Sequence, residues 1–119
     1  MKLRRVVNKF ICAFKGIVTA FKIDFGVKTQ FTLALITIVF GLLIGLTETQ
    51  WLIVVVCIGA VLTAELLNTA IEEVVNSLSH LMHDGQRKRI KDISAGAVLT
   101  ISLTSLIIMM LILWSKGVS

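Results

Sequence analysis

The chain has 119 residues, 56% of them hydrophobic, with 12 Lys and Arg against 7 Asp and Glu and a net charge of +5. A single domain of this length cannot hide that much apolar surface from water, which excludes an ordinary soluble globule. Proline is absent and the apolar runs are long and uncharged, so an all-α integral membrane protein fits, whereas a barrel of short alternating strands does not.

Residues 1–27 are predicted to form an amphipathic helix lying in the membrane interface. Val7, Phe10, Ile11, Phe14, Val18 and Phe21 share one stripe at helical spacing, and Lys2, Arg4, Arg5, Lys9, Lys15 and Lys22 fall largely elsewhere. The basic residues interrupt any continuous apolar stretch and no small-residue cleavage site follows, so this segment is not read as a signal peptide.

A first span is expected over 28–47. Its Gly41 and Gly45 either form a small-residue seat for a neighbouring helix or are incidental. Thr47 to Gln50 is read as a tight polar turn. A second span, over 50–78, opens at Trp51, stays apolar to Ala64 and then turns polar without an obvious end. Residues 79–92 are expected to be a cytoplasmic loop. Residues 93–114 contain no charge and would make a third span about 33 Å long as a helix, enough to cross. Cys12 and Cys57 lack metal-ligand spacing and are read as small hydrophobes.

Basic residues flank the apolar runs, which points to lipid headgroups and orientation rather than to nucleic acid. Seven of them lie in the first 28 positions and four lie between 87 and 91, while only Lys116 lies beyond the third span. The N-terminus and the 79–92 segment are therefore expected on the cytoplasmic side, with Trp51 and Trp114 sharing the opposite interface.

The chemistry concentrates where the second span turns polar. Glu65, Asn68 and Glu72 stand at i, i+3 and i+7, so a helix carries them on one face. Charged groups within a span are costly and usually mark a functional path. Counted from Trp51 at 1.5 Å per residue, Glu65 lies about 21 Å along the helix and Glu72 about 31 Å, against a hydrocarbon core of about 30 Å. Glu65 is thus expected shallowly buried, where it can meet a lipid hydroxyl. Glu72 is expected at the water's edge, where it can hold a hard cation such as Mg²⁺. Arg87, Lys88, Arg89 and Lys91, with Asp92, add charge in the same cytoplasmic layer, and Asp24 joins them. Carboxylates for a metal, lysines for phosphates and one buried base make a phosphoryl-transfer set. No Walker-type phosphate loop is present. Two other readings stand beside this one: a small proton-coupled carrier, and a helical subunit or inactive family member without catalysis.

The segment Glu65-Leu66-Leu67-Asn68-Thr69-Ala70-Ile71-Glu72, followed by Lys91-Asp92-Ile93-Ser94-Ala95-Gly96-Ala97-Val98, resembles the prokaryotic diacylglycerol kinase family, which includes the undecaprenol kinases. The likeness also takes in Lys15-Gly16 to Phe21-Lys22 and so covers nearly the whole chain. It implies a trimeric helical bundle in the bacterial cytoplasmic membrane, each chain having an N-terminal surface helix and three transmembrane helices. Active sites would be shared between neighbouring chains, and the γ-phosphate of MgATP would pass to a lipid hydroxyl, on diacylglycerol or undecaprenol. By position, the likeness implies that Glu65 is the general base and that Asp24 and Glu72 hold the metal. It further implies that Arg5, Lys28, Asn68, Lys91 and Asp92 join Asp24 and Glu72 around the nucleotide. Asn76 stands where relatives usually have Asp, Gln30 where some have Glu, and Tyr is absent altogether.

Overall fold

The computed structural model describes residues 1–117. Four helices follow in chain order: α1 (Lys2–Ile23), α2 (Phe25–Ile44), α3 (Glu48–Ser77) and α4 (Asp84–Gly117), with a short 3-10 turn at Ser79–Leu81. No strand occurs among the described residues. The helices α2, α3 and α4 are each long and apolar enough to cross a membrane. They pack with α3 at the centre, mainly against α4 and then against α2, and α1 packs against α2 and α3.

The corners explain why these elements start and stop where they do. Asp24 has extended backbone, and its N–H closes α1 on the Ala20 carbonyl while its carboxylate accepts the Gly26 N–H that opens α2. One residue therefore ends one helix and begins the next, with neither proline nor a loop between them. At the far end of α2, Gly45 adopts a left-handed conformation (φ 72°), and the N–H groups of Gly45 and Leu46 both return to the Gly41 carbonyl. Gly45 is thus a helix stop and not half of a helix-packing pair. Gly41 is buried under the Trp51 ring, which lies where a Cβ would stand. Thr47 and Gln50 then cap α3 reciprocally, with the Thr47 hydroxyl accepting the Gln50 N–H at 3.2 Å and the Gln50 side chain accepting the Thr47 N–H at 3.1 Å.

The expected 79–92 loop is much shorter than its sequence suggests. After the 3-10 turn the chain becomes helical again at Asp84, so Arg87 to Asp92 form the first turns of α4. His83 and Gln86 cap this start by exchanging backbone and side-chain hydrogen bonds at 3.3 Å, and Asp84 sits in the first turn, where the helix dipole favours an acid. Lys88 and Asp92 pair four residues apart at 2.6 Å. Polar residues are no obstacle to a helix that has left the hydrocarbon. At 34 residues, α4 is about 51 Å long, well beyond the roughly 30 Å core. Arg87 ties the corner together, donating to the carbonyls of Ser79 (2.8 Å) and Met82 (2.6 Å) and pairing with Asp84.

Few side chains are enclosed. Leu46, Val54 and Ile112 form a small core beside Trp51 at one end, and Val27 and Val75 are buried elsewhere. Most large apolar residues of the spans point outward, Leu43 remaining 80% exposed. The outward faces suit a lipid solvent or neighbouring chains, not water. The hydroxyls of Thr29, Thr32, Thr37, Thr63, Thr100 and Thr104 each donate to the carbonyl four residues earlier, which satisfies them inside the helix where no water is available.

Candidate functional site

The chain places its polar burial at the end of the bundle opposite the Trp51 core. Glu65, Asn68 and Thr69 are all under 9% exposed and lie on the face of α3 that meets the α1–α2 corner. The spacing of three, four and seven residues that unites Glu65, Asn68 and Glu72 also includes Thr69. The Thr69 hydroxyl bonds the Asp24 carboxylate, which fixes the corner against α3. Asp24 is held on both oxygens, by Thr69 on one and by the Gly26 N–H on the other (2.9 Å).

Glu65 sits against the first turn of α2. A Cβ on Gly26 would overlap its carboxylate, so the glycine is what admits it. Gln30 and Asn68 are polar neighbours of its carboxylate, and the carboxylates of Asp24 and Glu72 lie near enough to act on it electrostatically. Asn68 also donates to Glu72 at 3.2 Å, while its own carbonyl oxygen is buried without a protein partner. Three carboxylates and one orphaned amide oxygen thus converge at the edge of the spans. A buried acceptor with nothing to accept from is costly unless something outside the chain meets it.

The predicted site residues divide by position. Asp24, Glu65, Asn68 and Glu72 come together. Lys91, on α4, donates to the side chain of Asn76, one turn past Glu72 on α3, at 2.8 Å. Asp92 is exposed and engaged by Lys88. Lys28 is exposed on the first turn of α2, beyond the corner. Arg5 lies about 27 Å along α1 from the corner and does not approach the cluster within one chain. Among the basic residues of the expected loop, Arg87 is occupied by the α3–α4 turn. Thr69, Gly26 and Gln30 belong to the site without having been singled out for it. Thr69 was legible, since it lies four residues after Glu65; the other two needed the helix crossing.

A divalent cation fits this donor chemistry in a restricted sense. The donors are hard oxygens, and the unpartnered Asn68 carbonyl adds a neutral one. Among the described residues no group of three or more Asp, Glu, His or Cys side chains is placed to hold a metal ion. Mg²⁺ is commonly bound through one or two carboxylates, with water and phosphate oxygens completing its shell, so it does not require such a group.

The fold and this cluster define a class: a small multi-pass helical membrane protein with a buried acidic site at one end of its spans. A family model described as prokaryotic diacylglycerol kinase matches residues 11–113, and the chain belongs to that family. The chain is 32% identical over 115 residues to the undecaprenol kinase of Bacillus subtilis (strain 168), an overlap covering 97% of this chain and 93% of that protein. It is accordingly an enzyme, a lipid kinase.

Proposed function

We propose that this chain transfers the γ-phosphate of ATP to the hydroxyl of a membrane lipid, undecaprenol or diacylglycerol, with Mg²⁺ as cofactor. The observation that carries the reading is the burial of Glu65 beside Asp24, Asn68 and Glu72 at the edge of the spans. A carboxylate there stands where a lipid hydroxyl emerges and where a nucleotide can approach from water.

In this mechanism Glu65 accepts the proton of the lipid hydroxyl as that oxygen bonds to the γ-phosphorus. The bond from phosphorus to the β–γ bridging oxygen breaks in line, and ADP leaves with the electron pair. Asp24 and Glu72 would hold Mg²⁺ with the orphaned Asn68 carbonyl beside them. When bound, the metal supplies charge compensation for the phosphates. Lys91, steadied by Asn76, offsets phosphate charge from the α4 side. Arg5, Lys28 and Asp92 would complete the nucleotide contacts. Because Arg5 is distant along α1, its contribution would come from a neighbouring chain, in keeping with a homotrimer that shares its sites. The protein would form one membrane domain in the bacterial inner membrane, with α1 lying on the cytoplasmic surface and the N-terminus on that side.

The test is transfer of labelled γ-phosphate from ATP in mixed micelles, with undecaprenol and diacylglycerol offered separately, with and without Mg²⁺. The reading expects Mg²⁺-dependent labelling of at least one lipid. No labelling of either, from folded protein, would overturn it.

A further inference from the structure

Two of the four basic residues in the first turns of α4 are engaged by carboxylates, Arg87 by Asp84 and Lys88 by Asp92. Lys91 is held differently. Its ammonium donates to the side-chain carbonyl of Asn76 at 2.8 Å, and no carboxylate among the described residues pairs with it. Lys91 is half-buried and Asn76 exposed, so the contact lies at the rim of the site, open to water.

Asn76 extends the stripe of α3 that carries the acids. Glu65, Asn68, Glu72 and Asn76 stand at i, i+3, i+7 and i+11, on one face of the helix. The stripe is anionic where the mechanism above puts the metal and neutral where it meets Lys91. That difference has an electrostatic consequence. Amide and carboxylate oxygens both accept from an ammonium, so either would orient the lysine. Only the carboxylate would cancel the lysine's charge and repel a polyanion beside it. An ammonium carries three donor hydrogens, and the bond to Asn76 uses one of them. Two remain for phosphate oxygens.

We propose that Asn76 is a positioning residue that aims Lys91 at the phosphates of the nucleotide while leaving its charge whole, so that neutrality at position 76 sets how tightly the polyphosphate binds. The proposal rests on the kinase reading above and deepens it. Hold and charge are separable, and two variants separate them. Asn76→Asp keeps the hold and cancels the charge. Asn76→Ala keeps the charge and loses the hold. Because Asn76 is exposed near the end of α3, neither change disturbs a packed interior.

The test uses the full chain in micelles. Affinity for MgATP is measured without lipid acceptor at about 0.1 M and about 1 M salt, and kcat is measured with lipid at saturating ATP. Asn76→Asp should bind ATP about tenfold more weakly at the lower salt, with kcat within a few-fold of wild type. At the higher salt, where charges are screened beyond about 3 Å, its affinity should come within about twofold of wild type. Asn76→Ala should show the opposite split, with affinity within a few-fold and kcat down about tenfold. In a Lys91→Met background, Asn76→Ala should have no further effect on the residual rate, since the asparagine acts through the lysine. Wild-type affinity in Asn76→Asp at the lower salt, from protein whose parent transfers phosphate, would overturn the proposal and leave the kinase reading intact. A loss of affinity that persists undiminished at the higher salt would overturn it too, because structural damage is not screened. Absence of both ATP binding and transfer in the wild type would sink the kinase reading, and the proposal with it.

Discussion

At Gly26 the backbone of α2 passes so close to Glu65 that any side chain would displace the carboxylate. This makes Gly26 a sharper probe of the acid's position than a change to the acid itself. Gly26→Ala should lower phosphoryl transfer at least tenfold with little loss of helix content, since a misplacement of about 1 Å can cost on the order of a hundredfold. Gly16→Ala is the control, because nothing lies within 4 Å of a Cβ there, and its activity should stay close to wild type. Parallel activity and circular dichroism measurements check both. Equal activity in the two variants would mean that the acid need not occupy the place seen here. The pairing of Glu65, Asn68 and Glu72 was visible in their spacing alone, because a helix has a fixed period. Asp24's double duty was not. Capping α2 and taking the Thr69 hydroxyl depend on which residues meet across a corner, and no local pattern records that.

At the scale of the elements, the chain turns by capping and not by loops. Asp24 separates α1 from α2, and Gly45 with Thr47 separates α2 from α3. Gly45→Ala should destabilise the protein by about 1–2 kcal/mol, since the left-handed region is unfavourable for a residue with a Cβ. Gly59→Ala, in the middle of α3 with open space around it, should be neutral or slightly stabilising. Thermal unfolding in one detergent compares the two, and a Gly45→Ala midpoint no lower than that of Gly59→Ala would contradict the assigned turn. The three spans were legible because uncharged length is a strong signal. The start of α4 was not, because a solvated helical extension and a polar loop have the same composition. The reciprocal caps at His83 and Gln86 and the pairing of Lys88 with Asp92 decide between them.

For the whole molecule, the outward apolar faces and the distant Arg5 bear on assembly. A chain that buries so few residues by itself has surface to offer both to lipid and to copies of itself. The shared-site reading predicts a detergent-corrected mass three times that of the 13.1 kDa chain. It also predicts that Arg5→Ala and Glu65→Gln chains, each nearly inactive alone, recover part of their activity when mixed and co-assembled. Light scattering and subunit mixing would check this, and a fully active monomer would refute it. The basic first turns of α4 and the acidic cluster lie towards the same end of α3, the end that the proposed mechanism turns to the nucleotide.

In the proposed mechanism everything turns on Glu65 taking the proton from a lipid hydroxyl. Its most direct measurement is single-turnover transfer from ATP to lipid by Glu65→Gln, which keeps the size of the side chain, exchanges one acceptor oxygen for a donor NH2 and removes its basicity. The rate should fall about a hundredfold or more, with nucleotide affinity and thermal stability close to wild type. Transfer by Glu65→Gln within a few-fold of the wild-type rate would contradict it, and the base would have to be sought elsewhere in the cluster.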